Sequence, residues 1–224
     1  MHERHHFITY LTFDSTNLAP RASFVIFIEE DPAEGIVIRL YPSREADLVL
    51  KVISPRYGKI TFLAKHARRS KKRFGTTFDL FDKGVFTLAS GKGSMLLVDS
   101  FAPSIGYRKI RDDLTKISAG SLVCEAADLL TQENEGENIE LFHTLDLTLR
   151  AIDDSLDVKQ TLRALYLGLG TLLSTAGFGV TNADEAPSAR RLVQLLQQVE
   201  ESTGRRLESK GPILDILIAM KKDG

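Results

Sequence analysis

The hydrophobic pattern of this chain changes period near Pro103, and that change constrains its fold more than any other feature. From Arg21 to about Phe101 the apolar residues fall in short runs rich in Val, Ile, Leu and Phe: Ala22 to Ile28, Ile36 to Tyr41, Leu48 to Ser54, Lys59 to Lys65, Val85 to Ala89 and Ser94 to Phe101. Several alternate with period two, and turn signals at Pro32 to Gly35, Pro55 to Gly58 and Gly91-Lys92-Gly93 separate them, which predicts a small β-barrel or sandwich. Beyond Pro103 the spacing becomes helical and predicts helices over Tyr107 to Thr131, Glu137 to Asp154, Val158 to Thr175, Pro187 to Thr203, and from near Pro212. Asp157 suits an N-cap, Gly177 and Gly204 follow helix ends, and Pro187 and Pro212 suit first turns. Gly168 and Gly170 interrupt an apolar helix and would weaken it, so close helix packing is the role expected of them. The expected class is α+β with two domains, a β-barrel over 35–103 followed by an α-helical domain over 104–224. Residues 1–34 stay unassigned, either adding one strand through Ala22 to Ile28 or standing upstream of a misplaced start.

Charge is segregated along the same axis. Between Leu48 and Phe78 there are nine Lys or Arg and no Asp or Glu, although the formal net charge of the whole chain is −1. Six of those nine lie in Lys65-His66-Ala67-Arg68-Arg69-Ser70-Lys71-Lys72-Arg73. From Asp112 to Asp157, twelve acids face only Lys116 and Arg150. A dense basic segment is the footprint of a polyanion-binding surface, the alternative being a solvated loop. The acids read mostly as the wet faces of two helices, with no pair among them placed for acid–base catalysis.

Several functional classes drop out. Cys124 is the only cysteine, so neither an internal disulfide nor a thiolate zinc cluster can form. Ile110, Leu114, Ile117, Ser121 and Cys124 share a helical row, which makes the thiol a small core residue rather than a nucleophile. His2, His5 and His6 read as a tail with no carboxylate or thiol at usable metal-binding spacing. Gly91-Lys92-Gly93-Ser94 lacks the spacing of a nucleotide-binding loop and reads as a hairpin turn. No apolar run approaches the roughly 20 residues of a membrane helix, and no signal-like core follows the N-terminus, so a cytoplasmic location is expected. No nucleophile–base pair, metal cluster or nucleotide loop remains, and the chain is not expected to be an enzyme.

A small barrel presenting a basic strand and loop suits nucleic acid, with Tyr57 and Phe74 ranked above Phe62 as exposed stacking partners. The residues also resemble a known family, the bacterial recombination mediator RecO. The resemblance runs through Ile36-Val37-Ile38-Arg39-Leu40-Tyr41 with Glu45 and Asp47, Gly58-Lys59-Ile60-Thr61, and Ala64-Lys65-His66-Ala67-Arg68-Arg69-Ser70-Lys71. It continues in Asp99-Ser100-Phe101, Arg111-Asp112-Asp113-Leu114, Leu172-Leu173-Ser174-Thr175-Ala176-Gly177-Phe178-Gly179 and Gly204-Arg205-Arg206-Leu207-Glu208-Ser209. These anchors keep the family's order over about 35–217.

The resemblance implies an oligonucleotide-binding (OB-fold) barrel and a helical C-terminal domain. It further implies a nucleoid-associated protein of DNA repair and recombination that binds single- and double-stranded DNA and anneals complementary strands. Such proteins help RecA replace single-strand-binding protein, acting with RecR and in many bacteria RecF. Carried over residue by residue, Lys65, Arg68, Arg69 and Lys71 match the basic motif as DNA contacts; Lys59, Lys72 and Arg73 join them on charge alone. Arg190, Arg191, Arg205, Arg206 and Lys210 form a second basic group, a candidate dock for the acidic tail of single-strand-binding protein. Two departures matter. His66 stands where the family usually has glycine, and the loop between Gly179 and Pro187 has no cysteine, so a member without the family's four-cysteine zinc module is expected. An adaptor whose basic strand meets an acidic protein, and an RNA-binding barrel protein, remain the alternatives.

Overall fold

Five of the strand-like runs pair edge to edge until the sheet closes on itself. In the structure, a computed structural model, residues 8–12, 21–25, 32–69, 74, 78–89, 96–180 and 187–222 are described, the first two segments as backbone. Strands β1 (Ile8–Thr12) and β2 (Arg21–Val25) form a two-stranded antiparallel sheet of their own. The barrel comprises β3 (Ala33–Ser43), β4 (Asp47–Ser54), β5 (Gly58–Ala64), β6 (Lys83–Ala89) and β7 (Leu96–Pro103). Its order is β3-β4-β5-β7-β6, closed by antiparallel pairing of β3 with β6, while β5 and β7 run parallel. That is the five-stranded topology of an oligonucleotide-binding barrel.

Alternation decides what fills the barrel. Leu48, Leu50 and Val52 of β4 and Ile60, Phe62 and Ala64 of β5 point inward and are buried. Aromatic rings close the interior: Phe86 and Phe101 lie 4.7 Å apart, and Phe78 and Phe101 5.0 Å. Gly58 opens β5 at φ +63°, where a side chain is strained, and a Cβ there would approach the Gly136 carbonyl oxygen to 2.5 Å. Glycine in the Gly58-Lys59-Ile60-Thr61 motif is thus a requirement of both turn and packing.

The helices are α1 (Leu114–Leu130), α2 (Ile139–Asp154), α3 (Val158–Thr175), α4 (Ala189–Thr203) and α5 (Gly211–Lys222), close to the predicted spans. Short 3₁₀ turns precede α1 and α5 at Ile110–Asp112 and Glu208–Lys210. Asp157 caps α3 by accepting from the Gln160 amide, as its position predicted. Pro187 instead lies ahead of Ser188, the residue that caps α4. Gly168 does serve close packing, since a Cβ there would fall 2.2 Å from the Thr148 methyl; Gly170 meets open space, so packing does not explain it. Cys124 is fully buried, and burial pushes its thiol far above the usual range.

Barrel and helices share one core. Ile36, Ile38 and Ile53 on the outer wall of the barrel and Phe81 beside it belong to the same apolar cluster as Leu122, Val123, Leu145 and Leu165. Around this cluster the two charge blocks of the sequence meet. Asp128 of α1, nearly inaccessible, lies 3.0 Å from Lys59 Nζ, 3.1 Å from Lys51 Nζ and 3.3 Å from an Arg39 guanidinium nitrogen. Burial opposes ionisation of Asp128, but hydrogen bonds and attraction from Lys59 and Lys51 outweigh it and hold the carboxyl below its ordinary range. Asp146 repeats the device on α2: Lys83 Nζ lies at 3.0 Å, Arg150 Nε at 3.1 Å, and the Tyr107 hydroxyl donates at 2.6 Å. Glu125 accepts from the Glu208 and Ser209 amides, each at 2.9 Å, and anchors the turn ahead of α5. Glu125, Asp128 and Asp146 are thus buried structural carboxyl groups, while the other nine acids of the block are exposed or half-buried.

Candidate nucleic-acid interface

Strand pairing brings two turns to one end of the barrel. Ser43 pairs with Asp47, and Leu48 with Ala64, so the β3–β4 turn and the turn at 65–69 emerge side by side. Asp47 Oδ1 accepts from the His66 amide at 2.8 Å, and the Arg68 amide donates to the Ala46 carbonyl at 3.1 Å. Glu45 pairs with Arg69 at 2.9 Å, both side chains mostly exposed, so the pair is screened and available for exchange with a phosphate. Glu45 and Asp47, two of the motif residues, thus hold the basic turn in shape. Lys65, Arg68 and Arg69 stand exposed on it, and Arg44 stands exposed on the neighbouring turn.

His66 adopts φ +57°, the left-handed conformation that glycine takes without strain. The turn that a glycine would make is therefore kept, at an energetic penalty. His66→Gly is expected to raise stability by about 0.5–1 kcal/mol, the relief of strain exceeding the added entropy of the unfolded chain. Urea denaturation of the two proteins measures it; a lower midpoint at unchanged slope would show that the imidazole contributes more than its backbone strain removes.

The candidate cations divide. Lys59 is withdrawn from the DNA-contact group: it is buried, and its ammonium donates to the Asp128 carboxylate at 3.0 Å, the Thr131 carbonyl at 2.6 Å and the Asp128 carbonyl. All three protons of the ammonium are engaged inside the protein. Lys71, Lys72 and Arg73 lie outside the described residues, as do His2, His5, His6 and the Gly91-Lys92-Gly93-Ser94 segment. The aromatic ranking is also corrected. Tyr57 and Phe74 are buried, with Phe74 packed 5.1 Å from Phe78, and neither offers a face to a base.

Tyr41 and Arg44 are exposed beside the basic turn and were not among the candidates drawn from the sequence. Tyr41 is 40 % exposed on the outer wall of β3, with the Arg39 guanidinium 6.0 Å from its ring centre. Alternation from the inward Leu40 carried the signal for Tyr41; Arg44 carried none beyond its charge in a turn.

In the helical domain the second basic group does not form one surface. Arg190 and Arg191 sit on the first turn of α4 and Arg205 and Arg206 beyond its end, about 22 Å apart along a helix of this length. Lys210 is held by both Glu200 oxygens at 2.7 Å. Beside the start of α4 lies a groove of about 750 Å³, walled by Leu162 and Tyr166 of α3, Leu192 of α4, and Leu217 and Met220 of α5. Lys159, Arg163 and Lys221 line its edge.

Among the described residues no group of His, Cys, Asp or Glu is placed to hold a metal ion, and no helix is long and apolar enough to cross a membrane. Comparison with known proteins places both halves in one lineage. Residues 31–100 match the family described as Recombination protein O N terminal, and residues 111–205 match Recombination protein O C terminal. DNA repair protein RecO of Listeria welshimeri is 31 % identical over 136 residues, covering 61 % of this chain and 52 % of the relative. The protein of the same name from a Roseiflexus species is 32 % identical over 136 residues, covering 61 % and 47 %. That from Halalkalibacterium halodurans is 33 % identical over 140 residues, covering 62 % and 54 %. The matched part spans about half the length of these relatives.

Proposed function

This chain belongs to the RecO family of recombination proteins, and from that premise we propose that it is a recombination mediator that binds single- and double-stranded DNA through one end of its barrel and anneals complementary strands. The observation that carries the reading is the sorting of cations. Arg39, Lys51, Lys59 and Lys83 are neutralised inside the molecule, whereas Lys65, Arg68 and Arg69, with Arg44 beside them, are exposed on two adjoining turns. Phosphates of two strands drawn to one cationic end repel each other less, and bases held close together can pair without any catalytic group. The test is oligonucleotide binding and annealing by wild type and by the Arg68/Arg69/Lys71/Lys72/Arg73 alanine variant. Undiminished annealing by a folded variant would reject the reading.

Assistance to RecA on DNA coated with single-strand-binding protein, together with RecR and RecF, completes the proposal. The acidic tail of single-strand-binding protein is the partner proposed for the helical domain. An apolar groove edged by Lys159, Arg163 and Lys221 supports an acidic peptide that carries apolar side chains. Arg190 and Arg191 adjoin its Ser188–Ala189 wall, while Arg205 and Arg206 lie too far along the helix to share it. Reversing Arg163 to Glu is expected to weaken binding of a synthetic tail peptide at least tenfold by calorimetry and leave oligonucleotide binding unchanged. Equal peptide affinity in both proteins would remove the groove from the proposal.

A further inference from the structure

The outer wall of the barrel carries an apolar row that neither core uses. Pairing places Tyr41 of β3 opposite Val49 of β4, Val49 opposite Leu63 of β5, and Leu63 beside Leu97 of β7. Tyr41 is exposed, the other three are half-buried, and none belongs to the barrel core or to the cluster shared with the helices. A solvated sheet face normally carries polar residues at such positions. The row next to it, Arg39 and Lys51, is closed off by Asp128, with Glu133 3.4 Å from Lys51 and Glu208 3.5 Å from Arg39. On the other side of the apolar row are the turns bearing Arg44, Lys65, Arg68 and Arg69. The face is thus ordered as an ion-paired row, the apolar row, and the basic turns, on which Glu45 is the carboxylate paired with Arg69.

We propose that this row is a platform for the bases of single-stranded DNA, and that it gives the barrel its preference for single over double strands. The inference rests on the nucleic-acid reading above and adds to it. The cations of the ion-paired row are already engaged by carboxylates, so phosphates are directed to the basic turns and the bases toward the apolar row. Four strands span about 14 Å, room for two or three bases, as on other sheet platforms. A duplex keeps its bases stacked inside, so it meets only the cations. Tyr41 supplies the stacking ring, with the Arg39 guanidinium over it 6.0 Å from the ring centre, and Val49, Leu63 and Leu97 supply apolar contact that any base satisfies.

The experiment compares three labelled probes of equal phosphate number in anisotropy titrations: an oligothymidylate, the same backbone without bases, and a blunt duplex. Wild type is expected to bind oligothymidylate about tenfold or more tighter than the abasic strand. Tyr41→Ala is expected to remove most of that margin, leave the abasic strand and duplex within about twofold, and be rescued by Tyr41→Phe. Equal wild-type affinity for oligothymidylate and abasic strand would overturn the platform while leaving phosphate binding intact. Failure of all three probes to bind wild type would overturn the nucleic-acid reading as well. If Tyr41→Ala leaves every DNA affinity unchanged and abolishes self-association in sedimentation, the row belongs to a second copy of the chain and the inference is wrong.

Discussion

Asp128→Ala is expected to destabilise the protein by about 3–5 kcal/mol, the usual consequence of removing one partner of a buried ion pair. Asp128 is the common anion of Arg39, Lys51 and Lys59, and Lys59 is itself buried, so the loss of the carboxylate leaves its ammonium uncompensated away from bulk solvent. The penalty arises from the stranded ammonium more than from the lost attraction, so replacing both residues should be milder than the sum of the single changes. Urea denaturation of Asp128→Ala, Lys59→Met and the double variant measures this. Additive losses would show that the two residues act independently. Acid gives a second reading of the same carboxyl. Because its folded pKa lies below the unfolded value, its contribution is complete above about pH 4 and is lost as pH falls from there toward the folded pKa. Asp146, also held below its ordinary range despite burial by Tyr107, Lys83 and Arg150, loses its contribution in the same window. Wild type should therefore weaken steeply below pH 4, and the Asp128→Ala variant less steeply.

Replacing Arg68, Arg69, Lys71, Lys72 and Arg73 by alanine is expected to flatten the salt dependence of single-strand binding by up to about 3.5 in the slope of log affinity against log salt, at roughly 0.7 per phosphate contact. For duplex DNA the corresponding change is up to about 4.5, at roughly 0.9 per contact. The slope counts counterions released, and so separates lost phosphate contacts from a general weakening that would shift affinity equally at every salt concentration. Anisotropy titrations from low to moderate salt, on variants shown to be folded, make the comparison. A variant slope equal to wild type would place the phosphates elsewhere on the protein. Arg68 and Arg69 project into solvent, so their removal is expected to leave stability within about 0.5 kcal/mol, in contrast to Asp128.

Part of the candidate site was legible before folding. The basic motif announced itself by density, and Lys65, Arg68 and Arg69 are exposed, on a turn at one end of the barrel. Lys59 carries the same charge in the same acid-free stretch and is buried against Asp128, 69 residues further on. Nothing within the stretch distinguishes the two cases, because the distinguishing partner belongs to another element. The aromatic residues failed similarly. Tyr57 and Phe74 lie near the basic residues in sequence, yet each is taken up by the barrel interior, while Tyr41, in a strand read as ordinary, is exposed.

The sequence by itself determined the kind and order of the elements, the caps at Asp157 and Gly204, the single core thiol and the family of both halves. These are local properties: side-chain period, backbone preference and short motifs act over a few residues and need no distant partner. Tertiary structure decided which face of each strand meets water, the interior or the helices, and therefore which cations remain for a phosphate. Period two tells inside from outside, but part of the outer wall of this barrel is covered by α1 and α2. An outward Lys59 is neutralised there and an outward Tyr41 is not, because burial raises the energy of an unpaired charge until a carboxylate meets it, and only the folded chain brings Asp128 to Lys59.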